Sequence, residues 1–254
     1  TFEFNALSQN AWRYLAGTVF MAILYHQRWR YAAFMKDLGG VLAVLAAGIA
    51  QAGAMYLSTR GTALTSAVTS NIIGILGLPM TILFARLFFT DERRGSATGV
   101  WVHIGVLFAA TIGYACAHPV GTGGAESTEG IVCLVASVVL FTGALLVVKN
   151  AVRHFDTMGL TVIMALTTTV CCFVAALAQG ALQTPRLDEP FVAGVLFGSG
   201  AFGLWVGCAF TNYLIARAGV VPYQIVCTLA PPLVGVAGWL VLREAMSLGQ
   251  VACG

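Results

Sequence analysis

The chain has 254 residues, of which 59% are hydrophobic and 9% charged, and its mean hydropathy is +0.87. Soluble domains carry about 25% charged residues, so this composition excludes a soluble globular domain. The net charge of +3 gives no indication of a nucleic-acid partner. The apolar runs are continuous rather than alternating, which excludes a membrane β-barrel. An all-α integral membrane protein that crosses the bilayer several times is therefore predicted.

Eight apolar segments follow one another along the chain, each close to the ~20 residues that a bilayer requires. In order, they are Asn10–Tyr25, Leu38–Leu57, Ala63–Phe89, Ala97–His118, Ile131–Val148, Leu160–Leu182, Phe191–Ala216 and Val221–Leu242. A Gly-rich loop, GTGGAESTEG, separates the fourth from the fifth, and a ninth segment begins near Leu248. Because Thr1 is not a start methionine and Gly254 breaks off inside that segment, we expect a trimmed fragment.

Lysine and arginine predict the orientation, because cytoplasmic loops are enriched in both. If the loop HQRWRYAAFMKD is cytoplasmic, nine basic residues fall on that side and four on the other. The cytoplasmic set is Arg28, Arg30, Lys36, Arg86, Arg93, Arg94, Lys149, Arg153 and Arg217. The opposite set is Arg13, Arg60, Arg186 and Arg243.

Two distant stretches of the chain correspond to each other. Pro79 is followed thirteen residues later by Glu92, and Pro231 is followed thirteen residues later by Glu244, so a shift of 152 positions superposes the pairs. The motif Tyr-Leu-x-x-Arg ends the second segment at residues 56–60 and recurs at 213–217 at the end of the seventh. The loop charges place Glu92 and Glu244 on opposite sides of the membrane. The pattern therefore predicts two halves of inverted topology, as in many transporters.

The stretches TLAPPLVGVAGWLVLREAMSLGQVACG and SNIIGILGLPMTILFARLFFTDERRGSATGV resemble the ends of the two repeats of EamA-type members of the drug/metabolite transporter superfamily. The resemblance covers the whole chain, although the usual leucine-Gly-Glu loop is replaced by Thr90-Asp91-Glu92 and Leu242-Arg243-Glu244. It implies a ten-helix inverted-repeat (5+5) transporter fold, of which about eight full helices and the start of a ninth are present. The first repeat would be 1–120, lacking its first helix, and the second 129–254, with its last helix truncated.

Polar residues inside apolar segments are the candidates for a substrate cavity, because each is costly at membrane depth unless it meets substrate, water or a partner. The candidates that line the predicted cavity are Arg13, Gln51, Tyr56, Thr69, Ser70, Asn71, Trp205, Asn212, Tyr223, Gln224 and Thr228. The alternative for serine and threonine is a hydrogen bond to their own helix or to a neighbouring helix. Asn71 and Gln224 are harder to satisfy locally.

Arg13 and Trp205 each allow two readings. Arg13 either pairs with an anionic substrate or extends to lipid headgroups. Trp205 either stacks on a substrate ring or packs in the core. Pro79 and Pro231 are expected to permit kinks, and Glu92 and Glu244 to cap the helix that follows each short loop, so all four are assigned structural or hinge roles.

The predicted function is transport of small organic solutes or metabolites by alternating access, with efflux as one direction. All ten acidic residues lie outside the eight segments, so no carboxylate marks a coupling site. No catalytic residue, metal site or cofactor is predicted, since none of the seven cysteines forms a CxxC pair. The partners are a small-molecule substrate and the lipid bilayer, in a plasma, inner or organelle membrane, with a homodimer left open. The rivals are a non-transporting scaffold or assembly subunit and a membrane-embedded enzyme.

Overall fold

The computed structural model describes residues 5–29, 38–65, 67–89, 102, 105–106, 109, 127–152, 156–185 and 190–227. All regular structure in these ranges is helical. The helices are α1 (Ala6–Trp29), α2 (Leu38–Ala63), α3 (Ala67–Gly74), α4 (Gly77–Phe88), α5 (Thr128–Ala151), α6 (Thr157–Ala178), α7 (Pro190–Gly198), a π-helical turn (Ser199–Leu204), α8 (Trp205–Ala218) and α9 (Val220–Cys227).

Within the described part of the chain, four helical stretches are long and apolar enough to cross a membrane. They are Leu38–Ala63, Thr128–Ala151, Thr157–Ala178 and Pro190–Ala218, the last combining α7, the π-helical turn and α8. Helix α1 has 24 residues but is more polar, because Ser8, Asn10 and Arg13 lie in its first half. These features are those of an all-α membrane protein. Predicted segments four and eight lie largely outside the described residues.

The chain divides into two compact units, and each combines segments from both halves of the sequence. One unit consists of Thr1–Tyr56 and Gly143–Gly219, and the other of Leu57–Thr142 and Val220–Gly254. The first unit therefore contains α1 together with α6, α7 and α8, although more than a hundred residues separate α1 from α6 along the chain.

In the first unit, α1 packs against α6 in antiparallel orientation. The Ser8 hydroxyl donates to the carbonyl of Ala181, just beyond the end of α6, at 2.7 Å. One third of the way along, the ring centroids of Trp12 and Phe173 are 5.3 Å apart. Farther on, the hydroxyls of Thr18 and Thr169 are 3.0 Å apart. Residue numbers rise along α1 as they fall along α6, so the two helices run in opposite directions.

Two glycines allow close backbone contacts in this unit. A Cβ added to Gly200, in the π-helical turn, would overlap the carbonyl oxygen of Arg13 on α1. A Cβ added to Gly48, on α2, would lie 2.7 Å from the Cβ of Thr167 and 3.2 Å from the carbonyl oxygen of Met164 on α6. Small residues are the usual means of close helix approach in membranes, where lipid is as apolar as the side chains.

In the second unit, the end of α2 packs against the start of α5. The Arg60 guanidinium forms an ion pair with the Glu129 carboxylate. A Cβ added to Gly61 would lie 2.6 Å from Cγ of Leu134, so the two helices are also in close contact there. Both charged side chains are about half exposed, so the glycine contact rather than the ion pair determines how near the helices approach.

The third predicted segment is not one helix. Helix α3 ends at Gly74 and α4 begins at Gly77, with a turn at Ile75 and Leu76. Pro79 has no N–H to donate to the carbonyl of Ile75, and its ring would collide with that carbonyl in a continuous helix. The Ile75 carbonyl accepts instead from the N–H of Leu78 at 3.0 Å. The break therefore precedes Pro79, which lies fully buried in the first turn of α4.

Gly219 is a one-residue connection between α8 and α9. Its φ is 98° and its ψ is 175°, a backbone region that is essentially restricted to glycine. Its N–H donates to the carbonyl of Ile215 at 3.1 Å. The two helices are joined here without a longer loop, at the point where the sequence passes from the first compact unit to the second.

We expect Gly200→Ala to lower the free energy of unfolding by about 1–3 kcal/mol, as overpacking in a tight interior does. The reason is that the added methyl group meets the α1 backbone rather than a movable side chain. The matched control is Gly203→Ala in the same π-helical turn, where nothing lies within 4 Å of the added Cβ. Unfolding of the purified full-length protein by heat or by dodecyl sulfate measures both variants, and equal midpoints would contradict the prediction.

Candidate functional site

A buried amide–hydroxyl pair lies beside the helix break in the second unit. Gln224 is 5% exposed on α9, and its Nε2 donates to Oγ1 of Thr81 on α4 at 3.2 Å. A Cβ added to Gly77, the first residue of α4, would lie 3.4 Å from the same Nε2 atom. Glycine at the start of α4 therefore makes room for the glutamine side chain at the broken end of the helix.

Other predicted residues of this unit lie on α3 and α9. Thr69 and Tyr223 are buried, and the half-buried Ser70 accepts a hydrogen bond from Oγ1 of Thr62 at 2.8 Å. Thr65, which precedes α3, donates from its hydroxyl to the carbonyl of Gly61. For Asn71 the structure describes the backbone in α3 and not the side chain.

A second polar group lies in the first unit, between α1 and α2. Nε2 of Gln51 donates to the hydroxyl oxygen of Tyr14 at 3.3 Å. One turn away on each helix, Nδ2 of Asn10 donates to the carbonyl of Met55 at 3.2 Å. Tyr14 and Asn10 are almost fully buried, whereas Gln51 is half-buried. Gln51 is thus held by α1 and keeps part of its surface accessible.

Arg13 is the cation of this group. Its backbone lies against Gly200, and its side chain is half-buried. Its Nε atom is enclosed and has no hydrogen-bond partner among the described residues. A guanidinium that is partly enclosed and unpaired is costly in a low-dielectric setting.

Trp205 lies in an aromatic cluster of the first unit. Its indole N–H donates to the hydroxyl of Tyr25 at 2.9 Å. Its ring makes edge contacts with Phe20 and Phe202, at centroid distances of 5.7 and 6.1 Å. Trp205 also packs against the buried side chains of Met21, Val162 and Ala165, which agrees with the packing role for this residue.

Asn212 connects two helices of the first unit. It is 4% exposed on α8, and its Nδ2 donates to Oγ1 of Thr161 on α6 at 2.7 Å. The same Thr161 hydroxyl donates to the carbonyl of Thr157. Asn212 therefore forms an interhelical contact in the structure. Tyr56, farther along α2, is half-buried.

Four predicted residues lie outside the described residues: Thr228, Glu92, Pro231 and Glu244. Six residues that sequence reasoning missed take part in the polar contacts, namely Asn10, Tyr14, Tyr25, Thr62, Thr81 and Thr161. The signal was available for the tyrosines, since a buried tyrosine usually finds a partner for its hydroxyl. A lone threonine in an apolar run carries no such signal.

Among the described side chains, no group of three His, Cys, Asp or Glu is placed to hold a metal ion.

Apolar spans, a broken helix and buried amide–hydroxyl pairs define a multi-pass helical membrane protein. Residues 128–254 match the EamA-like transporter family, which is half of the chain. The chain belongs to this family and is a membrane transporter, a protein that lies in the lipid bilayer and binds a small-molecule solute. This class of protein is not an enzyme.

Two known proteins extend the comparison beyond the matched half. An uncharacterized transporter of Haemophilus influenzae (strain ATCC 51907 / DSM 11121 / KW20 / Rd) is 25% identical over 261 residues, which cover 98% of this chain and 84% of the relative. A protein crystal structure at 15% identity superposes with a TM-score of 0.74 over 99% of this chain and 84% of that chain. At that identity the superposition shows the fold alone.

A double-mutant cycle tests whether the Gln224–Thr81 bond contributes to stability. We expect Gln224→Ala and Thr81→Val to couple by about 0.6 kcal/mol, the typical value for an interhelical hydrogen bond in a membrane protein. The cycle is measured on unfolding of the full-length protein. Asn212→Ala, in the other unit, is the control and should add to Thr81→Val without coupling. A coupling of zero for the first pair would show that the Gln224 amide is free for another ligand.

Proposed function

We propose that the protein moves a small organic solute across the membrane by alternating access, on a ten-helix fold of two inverted repeats. The observation that carries the proposal is the broken third segment with Gln224 and Thr81 buried at the break. Transporters of this kind bind substrate at discontinuous helices near the membrane midplane, where backbone and side-chain polar groups are free to meet it.

The positions of the helices support the duplication. Under the shift of 152 positions, the start of α2 at Leu38 falls on the start of α7 at Pro190. The start of α1 falls within one residue of the start of α6, and the start of α3 within one residue of the start of α9. The spacing of the helix starts is therefore kept in both halves, although the individual loops differ in length, and this spacing supports repeats over 1–120 and 129–254.

The close backbone contacts also correspond. Gly48 and Gly200 are 152 residues apart. Gly48 packs against α6 and Gly200 against α1, and these two helices correspond to each other under the same shift. At the Gly200 contact, a Cβ on Gly17 would lie 2.7 Å from the Gly200 carbonyl oxygen. At the Gly48 contact, the hydroxyl of Thr168 donates to the Gly48 carbonyl at 3.0 Å. Two contacts exchanged in this way are typical of a two-fold relation.

The count of crossings supports the inversion. In the proposed fold, five crossings precede α6, one each by α1, α2, the α3–α4 segment, the predicted segment Ala97–His118 and α5. After an odd number of crossings, an equivalent helix enters the membrane from the opposite side. The antiparallel packing of α1 and α6 agrees with this count.

Counterflow in proteoliposomes tests alternating access. The full-length protein is reconstituted and exposed to panels of metabolites and drugs. We expect one class of solute to show saturable flux that is accelerated by the same solute on the opposite side, because a carrier returns faster when loaded. Protein-free liposomes are the control. Flux without saturation or counterflow would indicate a channel. Absence of flux for every solute in the panels would favour the alternative of a non-transporting scaffold.

Removing the proline tests the role of the helix break. We expect Pro79→Ala to slow flux, because the alanine N–H can bond to the Ile75 carbonyl and join α3 to α4. Stability should change by no more than about 1 kcal/mol. Pro222→Ala is the matched control, since Pro222 is also the third residue of its helix but is exposed. If the Pro79→Ala variant kept the flux of the wild type, transport would not depend on the helix break.

A further inference from the structure

Arg13 presents its guanidinium in a defined way. The backbone from which its side chain extends is held against Gly200, so the base of the side chain is rigid. Among the described residues, two buried side-chain polar atoms have no hydrogen-bond partner: Nε of Arg13 and Oγ1 of Thr142. Of these two residues, Arg13 is the one that carries a charge. The terminal nitrogens of Arg13 are not enclosed in this way, and the side chain is half-buried. The accessible end of the fork is therefore free to meet a ligand.

No acidic side chain is placed to neutralise this charge from within the membrane. All ten acidic residues lie outside the eight predicted segments. In the described ranges the structure has two of them, and both are engaged: Glu129 with Arg60, and Asp156 with the N–H of Gly159. Arg13 lies inside the predicted apolar segment Asn10–Tyr25. A cation within a membrane segment needs an anionic partner or water.

Packing does not explain why an arginine stands at this position. The equivalent contact in the other half places the Met164 carbonyl against Gly48, and the position 152 residues after Arg13 is Ala165. Both Met164 and Ala165 are buried and apolar. The Gly200 contact uses the backbone of Arg13, and at Gly48 the corresponding carbonyl belongs to an apolar residue, so the contact does not require the Arg13 side chain.

We propose that Arg13 binds an anionic oxygen group, a carboxylate or a phosphate, carried by the transported solute or by a lipid headgroup. For the solute source the inference rests on the proposed function. A guanidinium suits this ligand because it is planar and permanently charged, and its parallel N–H groups match two oxygens at once.

The test measures anion binding without transport. The full-length protein is purified in a maltoside detergent, which carries no anionic group, at constant ionic strength. Three probes are titrated while thermal unfolding is followed: inorganic phosphate, succinate and dioctanoyl phosphatidylglycerol, with dioctanoylglycerol as the uncharged lipid control. A ligand that binds the folded state raises the unfolding midpoint with its concentration. The probe that acts identifies the source of the anion.

We expect at least one probe to stabilise the wild type, and Arg13→Gln to weaken its apparent affinity by about tenfold or more, as loss of a charge-assisted hydrogen bond does. Arg13→Lys keeps the charge but loses the fork, so its affinity should be intermediate; it also decides the matter if the glutamine variant does not fold. Arg217→Gln is the matched control, because it removes an exposed arginine that lies over Tyr213.

Two results would overturn the proposal: no response of the wild type to any of the three probes, or unchanged affinity in both Arg13 variants. Flux is measured separately in liposomes, so the two proposals fail independently. Anion binding that depends on Arg13, without any flux, would support the site and contradict transport. Flux of an uncharged solute, with no response to any of the three anionic probes, would support transport and contradict the anion site.

Discussion

The fold depends on backbone contact between helices, made where glycine removes the side chain. Lipid offers no hydrophobic gain for burying one apolar helix against another, so close packing has to supply the attraction. Gly48 brings α2 against α6, and Gly200 brings the π-helical turn against α1. The threonine pair at 18 and 169 lies between these contacts. The arrangement holds α1 and α6 antiparallel and thereby determines where Arg13, Tyr14 and Gln51 lie.

The broken third segment shows how the bilayer restricts irregular backbone. A carbonyl without a partner is expensive in hydrocarbon, and the Ile75 carbonyl avoids that cost by accepting a hydrogen bond from Leu78. The same break leaves room beside Gly77 for the Gln224 amide, which bonds to Thr81. A single proline therefore produces both the turn and the polar surroundings that the proposed transport site uses.

The membrane spans were predictable because length and apolarity alone decide them. Segment Phe191–Ala216 became the continuous span Pro190–Ala218, and the start of α6 moved to Thr157 because Asp156 caps it through the N–H of Gly159. A kink at Pro79 was predicted, but the division of Ala63–Phe89 into two helices was not, since the steric effect of the proline acts four residues upstream.

The site was predictable only in part, for a related physical reason. Gln224 stood out as an amide that is difficult to satisfy locally, and it is buried and bonded. Its partner Thr81 lies 143 residues away, and the partner of Gln51, Tyr14, lies 37 residues away. Such pairings depend on which helices pack together, and helical periodicity within one segment carries no information about them. The contacts of Gly48 with α6 and of Gly200 with α1 could not be predicted for the same reason.

The pairing of α1 with α6 has a consequence for synthesis in the cell. Roughly 130 residues separate the end of α1 at Trp29 from the start of α6 at Thr157. At about 5–20 residues per second, the ribosome needs on the order of ten seconds to supply the partner. Throughout that interval Trp12 and Thr18 on α1 lack the α6 residues that they contact in the folded protein. The nascent protein thus passes through a stage in which α1 depends on the insertion machinery or on lipid for protection.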